Sequence, residues 1–266
     1  MPRLLSDWLQ AYIEFTSDTE APEAFNVWTG ISVLAGAIRR RIFLDHGHFI
    51  VYANHYIVLT SEAGRCKKST ALRLGMDILS EVPGVIFTAE SISRERLATD
   101  MTTAYVDGHS SLTAHISELG SLFTTSGVDM IVFLMDIYDC QGTWTHKTKS
   151  GGTTKIKAPY LNILAGTTPK WLASAMPLTT IGIGFTSRVI YIYSDEPRAQ
   201  EPIQRLTREQ VELRKKMVND LTHISTLTGE MLMSVEAYNH YSTWYKSRGN
   251  ESMDADQRLA GYYERK

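Results

Sequence analysis

The residues best suited to chemistry lie in the stretch SEAGRCKKSTAL, residues 61–72. Lys68 and Ser69 hold the last two positions of a G-x-x-x-x-G-K-[ST] pattern, after the apolar run 55–60 and before a helix-forming segment. At such a junction backbone N–H groups and the helix dipole hold phosphate, and the lysine reaches the β and γ phosphates. The next hydroxyl serves Mg2+. Both glycines of the pattern are missing. Glu62 and Lys67 stand in their places, and Gly64 alone gives the turn a flexible position. A solvated basic turn carrying Arg65, Lys67 and Lys68 fits this stretch as well, so taken alone it leaves both readings open. The candidate nucleotide-binding segment is Gly64, Arg65, Cys66, Lys67, Lys68, Ser69 and Thr70. Neighbouring cations and a helix start lower the pKa of a thiol, but Cys66 is read as a bystander.

Further candidates follow in chain order. Glu118 lies in TAHISELG near the end of the expected strand, where an acid would orient an attacking water and share with Ser69 in holding Mg2+. Ser117 stands where many enzymes of this kind carry aspartate, and Glu118 also fits a plain surface acid. Thr167, with Thr168 beside it, ends NILAGTTP and is placed to feel a γ-phosphate or the water. Asn162 is the alternative sensor if the strand is set differently, and Gly-Thr-Thr-Pro is equally good turn chemistry. Arg188 opens the apolar run RVIYIYS. It fits an arginine finger reaching a neighbouring subunit, and it fits a structural ion pair.

The segment GTWTHKTKSGGTTKIKAP reads as a hairpin over 143–157, turning at Ser150-Gly151-Gly152. Lys147 and Lys149 precede the turn and Lys155 and Lys157 follow it, so at period two the lysines of each arm share a face. Such a patch suits a phosphate backbone, with salt-sensitive and weakly sequence-specific binding. Lysines guarding a sheet edge are the other reading. His46 and His48 flank Gly47 and are read as turn residues rather than metal ligands.

These residues need elements to position them. Apolar spacing predicts helices at 4–13 and 22–39, then a hairpin at 40–54 turning at Gly47. Strands are expected at 55–60, 84–91, 111–118, 158–167 and 188–194, with helices at 69–79, 92–101 and 129–139 between them. Strands alternating with helices predict an α/β fold, a largely parallel sheet with helices on both faces. After residue 202 the chain turns to long helical stretches. The expected organisation is N-terminal helices and a hairpin over 1–52, a core over 53–203, and a helical region over 204–266. The final DQRLAGYYERK shows no cap signal, so this last region is expected to run on past residue 266.

Composition narrows the classes. The 266 residues, 43% hydrophobic and 21% charged, are enough for a substantial core. No run approaches the ~20 apolar residues of a bilayer span, and the N-terminus is not a signal peptide. Two cysteines make neither a zinc site nor a disulfide framework, which suits a reducing cytoplasm. A net charge of −2 confines any nucleic-acid contact to a local patch.

With these pieces assembled, the chain resembles a family of phage and mobile-element replication ATPases, helicase-like P-loop proteins. The resemblance runs over most of the chain through EFTSDTEAPEAFNVWTGISVLAGAIRRRIFL, GRCKKSTAL, ISELGSLF, MDIYDCQGTWTHKTKSGG, LNILAGTTPKWL and GIGFTSRVIYIY. It implies a three-layer αβα P-loop NTPase core of the AAA+ or superfamily 3 helicase kind, with N-terminal helices and a C-terminal helical appendage. The family usually works as a homo-oligomeric ring on DNA. By the same likeness Lys68 and Ser69 would bind ATP and Mg2+, Glu118 would be the catalytic acid, and Arg188 a finger. The lysine hairpin would touch single-stranded DNA in the channel, Arg265 would be a candidate sensor, and replication proteins would be further partners. The missing glycines and Ser117 depart from the pattern and bear on the rate of hydrolysis. The expected function is an ATP-dependent DNA motor, a replicative helicase. The alternatives are a DNA-packaging or remodelling ATPase, and a nucleotide-binding scaffold without turnover.

Overall fold

Periodicity and capping account for most of the elements, traced here in a computed structural model that describes residues 2–124, 127–148, 152–175, 184–198 and 205–248. Helix α1 (Trp8–Phe15) starts at Asp7, whose carboxylate accepts from the Gln10 amide at 2.9 Å. Helix α2 (Glu23–Ile38) follows Pro22. A hairpin of β1 (Ile42–Asp45) and β2 (Ile50–Tyr52) then leads into β3 (Tyr56–Thr60) and α3 (Lys68–Leu79). Next come α4 (Arg94–Thr103), β4 (Tyr105–Val106), β5 (His109–Ile116) and α5 (Gly127–Tyr138). A second hairpin of β6 (Thr143–Thr148) and β7 (Gly152–Lys157) precedes β8 (Pro159–Thr167), α6 (Pro169–Ala175) and β9 (Val189–Tyr193). The chain continues with α7 (Arg208–Ile224), β10 (Gly229–Glu230) and α8 (Val235–Arg248). Thr207 and Gln210 form a reciprocal capping box at the start of α7.

The expected α/β architecture is present. The main sheet runs β4-β5-β8-β3-β9, with β5, β8, β3 and β9 parallel and β4 antiparallel at one edge. All five residues of β3 are buried, as a strand covered on both faces requires. Its alternate residues go to different cores. Tyr56 and Val58 join Ile163 and Ala165 under α4 and α5, whereas Ile57 and Leu59 join Leu164, Leu72 and Phe25 under α2 and α3. Parallel register pairs Tyr56 with Ile163 and Val189, and Thr60 with Thr167 and Tyr193, so the C-terminal ends of three strands finish level. Helices α1, α2, α3 and α7 share a further apolar cluster around Tyr12, Val33, Ile78 and Leu221.

One expected strand is reduced to a contact. Residues 84–91 form a single parallel bridge to the sheet, Phe87 to Thr113, with Ile86 and Thr88 making its two hydrogen bonds to Thr113. Part of the same β5 edge is already taken by β4, and Ile86 stays exposed. Helix α6 went unread from sequence because it is short and follows directly from a strand. Among the described residues no helix is long and apolar enough to cross a membrane.

Candidate active site

The loop 61–67 leaves the C-terminal end of β3 and enters α3 at Lys68. Lys67, in the place of the pattern's last glycine, adopts φ 46° and ψ 38°, the left-handed region that glycine takes without strain. The backbone path of a glycine is therefore kept with a lysine in it. Gly64 has φ 74°, so both unusual turns of the loop fall on these two residues. The amides of Cys66, Lys67, Lys68 and Ser69 find no acceptor among the described residues, the state expected of a free helix N-terminus. Lys67 reaches away to Glu20, Nζ to Oε2 at 3.4 Å.

Lys68 is buried and bends back over the loop. Its Nζ donates to the Ser61 carbonyl at 2.7 Å, to Ser61 Oγ at 2.9 Å and to the Glu62 carbonyl at 3.3 Å. Burial pulls its pKa down, and the negative charge of Glu118 is the strongest influence in the other direction. Ser69 and Arg65 are exposed and Thr70 is half-buried. The Cys66 side chain is fully buried among Ile57, Ala71 and Leu72, with Sγ 3.5 Å from the Ser194 carbonyl, so only its backbone amide is available to a ligand.

Glu118 follows β5 and begins a single 3-10 turn over Leu119–Leu122, with its side chain exposed. Its turn is seated by close approach. A Cβ at Gly166, near the end of β8, would lie 2.8 Å from the Ser117 carbonyl oxygen, and one at Gly120 would lie 2.7 Å from the Trp171 ring. Thr167 and Thr60, paired at the ends of β8 and β3, are buried, and neither hydroxyl has a hydrogen-bond partner among the described residues. Thr168 instead accepts from the Trp171 amide at 3.2 Å and so starts α6. Sequence reading passed over Glu90, which accepts from Ser117 Oγ at 3.0 Å beside Glu118. The signal available for it was an acid at the end of a short apolar run.

Two predicted site residues lie elsewhere. Asn162 sits five residues before Thr167 on β8, about 16 Å from the strand end at the usual rise. It is fully buried. Its Nδ2 donates to the Ser32 carbonyl and Oγ, each at 3.0 Å, and its Oδ1 accepts from the His55 amide at 3.3 Å. The register of β8 thus gives Thr167, not Asn162, the place at the loop. Arg188 immediately precedes β9 and so lies at the N-terminal end of the parallel strands, away from the loop. It donates to the Gly184 carbonyl at 3.0 Å and pairs with Asp139 at 2.9 Å, the structural ion pair among the two readings of it.

The second hairpin rises at that same N-terminal end, directly before β8. Its register pairs Thr145 with Lys155 and Lys147 with Thr153, so Lys147, Lys155 and Lys157 share one exposed face across both arms. The other face carries Trp144, His146 and Ile156. Trp144 meets Phe133 of α5 edge-on at 4.9 Å, and its Nε1 donates to Asp136 at 3.1 Å. Lys149 and Arg265 lie outside the described residues.

Ser69, in α3 beyond β3, and Glu118, beyond β5, carry oxygen donors of the kind that a hard cation keeping several waters, such as Mg2+, takes. Among the described residues no cluster of three or more His, Cys, Asp or Glu forms an all-protein metal site. No protein-family model matches the chain, and no curated protein matches it.

Proposed function

We propose that the chain is a P-loop nucleoside triphosphatase that drives work on DNA. The observation that carries this reading is Lys67 in the left-handed conformation directly before Lys68. A non-glycine residue held there keeps the loop path that aims free amides at an anion, when an ordinary basic turn would have no need of the strain. Lys68 would exchange its carbonyl partners for the β and γ phosphates. Glu118 would take a proton from water as its oxygen adds to the γ-phosphorus and the bond to the β-bridging oxygen breaks. The Thr167 hydroxyl, buried and without a partner, is suited to donate to the water or to the γ-phosphate. Mg2+ with the nucleotide would supply charge neutralisation, with Ser69 and Glu118 as its protein-side oxygens. The lysine face of the second hairpin suits a nucleic-acid strand.

One observation bears on the hydrolase and on the nucleotide-binding scaffold alike. The three oxygens around Lys68 Nζ already satisfy it, so ligand binding must displace them. Steady-state ATP turnover decides between the two. Measured with Mg2+ and single-stranded DNA, the parent should hydrolyse ATP, Lys68→Ala should lose nucleotide binding, and Glu118→Gln should bind but turn over at least about a hundredfold slower. A parent that binds ATP without turnover establishes the scaffold, and turnover unchanged in both variants removes the site.

A further inference from the structure

We propose that Glu90 positions Glu118 for catalysis, a role that rests on the hydrolase reading above. The Glu118 carboxylate makes no hydrogen bond among the described residues, so its direction is set by the backbone of the turn that carries it. Glu90 grips that turn on both sides of Glu118. Ser117 Oγ donates to Glu90 Oε2 at 3.0 Å, and Ser121 Oγ donates to the Glu90 carbonyl at 2.9 Å. The Ser121 amide closes the turn onto the Glu118 carbonyl at 2.9 Å. His115 stands on the far side of the Glu90 carboxylate, Nδ1 to Oε1 at 3.8 Å, and leaves Oε2 for Ser117.

The remaining walls of the turn are steric rather than polar. Trp171 covers Gly120, and Gly166 abuts the Ser117 carbonyl. These contacts resist inward movement of the turn. Outward rotation about the strand end is opposed by the two bonds to Glu90. Glu90 itself comes from the segment that bridges β5 at Phe87, and its side chain is 62% exposed. An acid so exposed has little to gain for stability from a serine hydroxyl. Its consequence is directional: Ser117, adjacent to the catalytic residue, is held from outside the strand that bears both.

The required capacity is an acceptor at Oε2, not a negative charge. Glutamine retains that acceptor and alanine does not. In steady-state ATP hydrolysis, Glu90→Ala should therefore lower kcat by about ten- to a hundredfold, the scale of a displaced catalytic group, with KM within about twofold of the parent. Glu90→Gln should restore kcat to within about threefold. Ser117→Ala should match Glu90→Ala, and the double variant should be no slower than either single one, because both remove one bond. Thermal unfolding run alongside separates lost fold from lost alignment, and Ser117→Ala carries the test should Glu90→Ala fail to fold. Parent-like kcat in Glu90→Ala and Ser117→Ala overturns the proposal. So does equal loss in the alanine and glutamine variants with raised KM, which would make Glu90 a charge at the binding site. Failure of the hydrolase reading shows separately, as equal turnover in the parent and Glu118→Gln.

Discussion

The two ends of the parallel sheet carry similar residue types and use them differently. At the C-terminal end the amides of Cys66 to Ser69, the hydroxyls of Thr60 and Thr167 and the Glu118 carboxylate all have hydrogen-bonding capacity left over. At the N-terminal end Asn162 uses both of its side-chain groups, and Asn54 donates to the Tyr138 carbonyl while accepting from Cys140 Sγ. Arg188 there keeps only its Nε without a partner. Buried polar groups are normally paired. Unspent side-chain capacity alone does not separate the ends, since among the described residues His55 Nδ1, His109 Nε2 and Ser110 Oγ lack partners at the N-terminal end too. What separates them is the run of free amides beside Thr60 and Thr167.

The largest test of this contrast falls on Asn162. Asn162→Ala would strand the His55 amide and remove the tie to Ser32 on α2, both in fully buried surroundings. It should cost about 2–3 kcal/mol in urea unfolding while leaving the nucleotide dissociation constant within twofold. Arg188→Met should follow with a smaller loss, about 1–2 kcal/mol, because Asp139 stays partly in water. A fall in nucleotide affinity at unchanged stability would move either residue to the functional end and break the contrast.

The lysine hairpin sharpens it from another side. It belongs by position to the structural end, yet its outward face is exposed, with Lys157 resting over the Tyr105 ring at 5.3 Å. Lys155→Glu with Lys157→Glu should weaken single-stranded DNA binding by roughly tenfold at low salt. The slope of log affinity against log salt should fall by about 1.4, from two phosphate contacts at ~0.7 each. Loss of stability without loss of DNA binding would assign these lysines to edge protection instead.

The strands were legible because burial on both faces leaves unbroken apolar runs, as in residues 56–60 and 159–167. The turn from β3 into α3 was legible from the buried run before it and the helical spacing after it, while its lysine and hydroxyl left the phosphate-loop and basic-turn readings both open. The position of Asn162 was not legible, since which end of a strand a polar residue serves depends on register, and register is a property of the neighbours. Glu90 was hidden for a related reason. The run before it looks like a strand, but only Phe87 pairs, and the bond to Ser117 joins residues 27 apart in sequence. Arg188 had an ion pair among its readings, but its partner Asp139 is 49 residues away and no local spacing could name it.

The smallest expected effect is at Lys67, and it bears most directly on how the loop works. A non-glycine residue in the left-handed region costs roughly 1 kcal/mol, which glycine would relieve at some expense in unfolded-chain entropy. The pair with Glu20, on a half-exposed lysine, offsets only a few tenths of that. Lys67→Gly should therefore raise unfolding stability by about 0.5 kcal/mol, and nucleotide affinity should hold or rise, since the backbone path is the one already present. An affinity that drops several-fold while stability rises would mean that the Lys67 ammonium leaves Glu20 for the phosphate. The loop would then bind with two lysines, and the strain at residue 67 would be the cost of placing the second cation where the pattern has none.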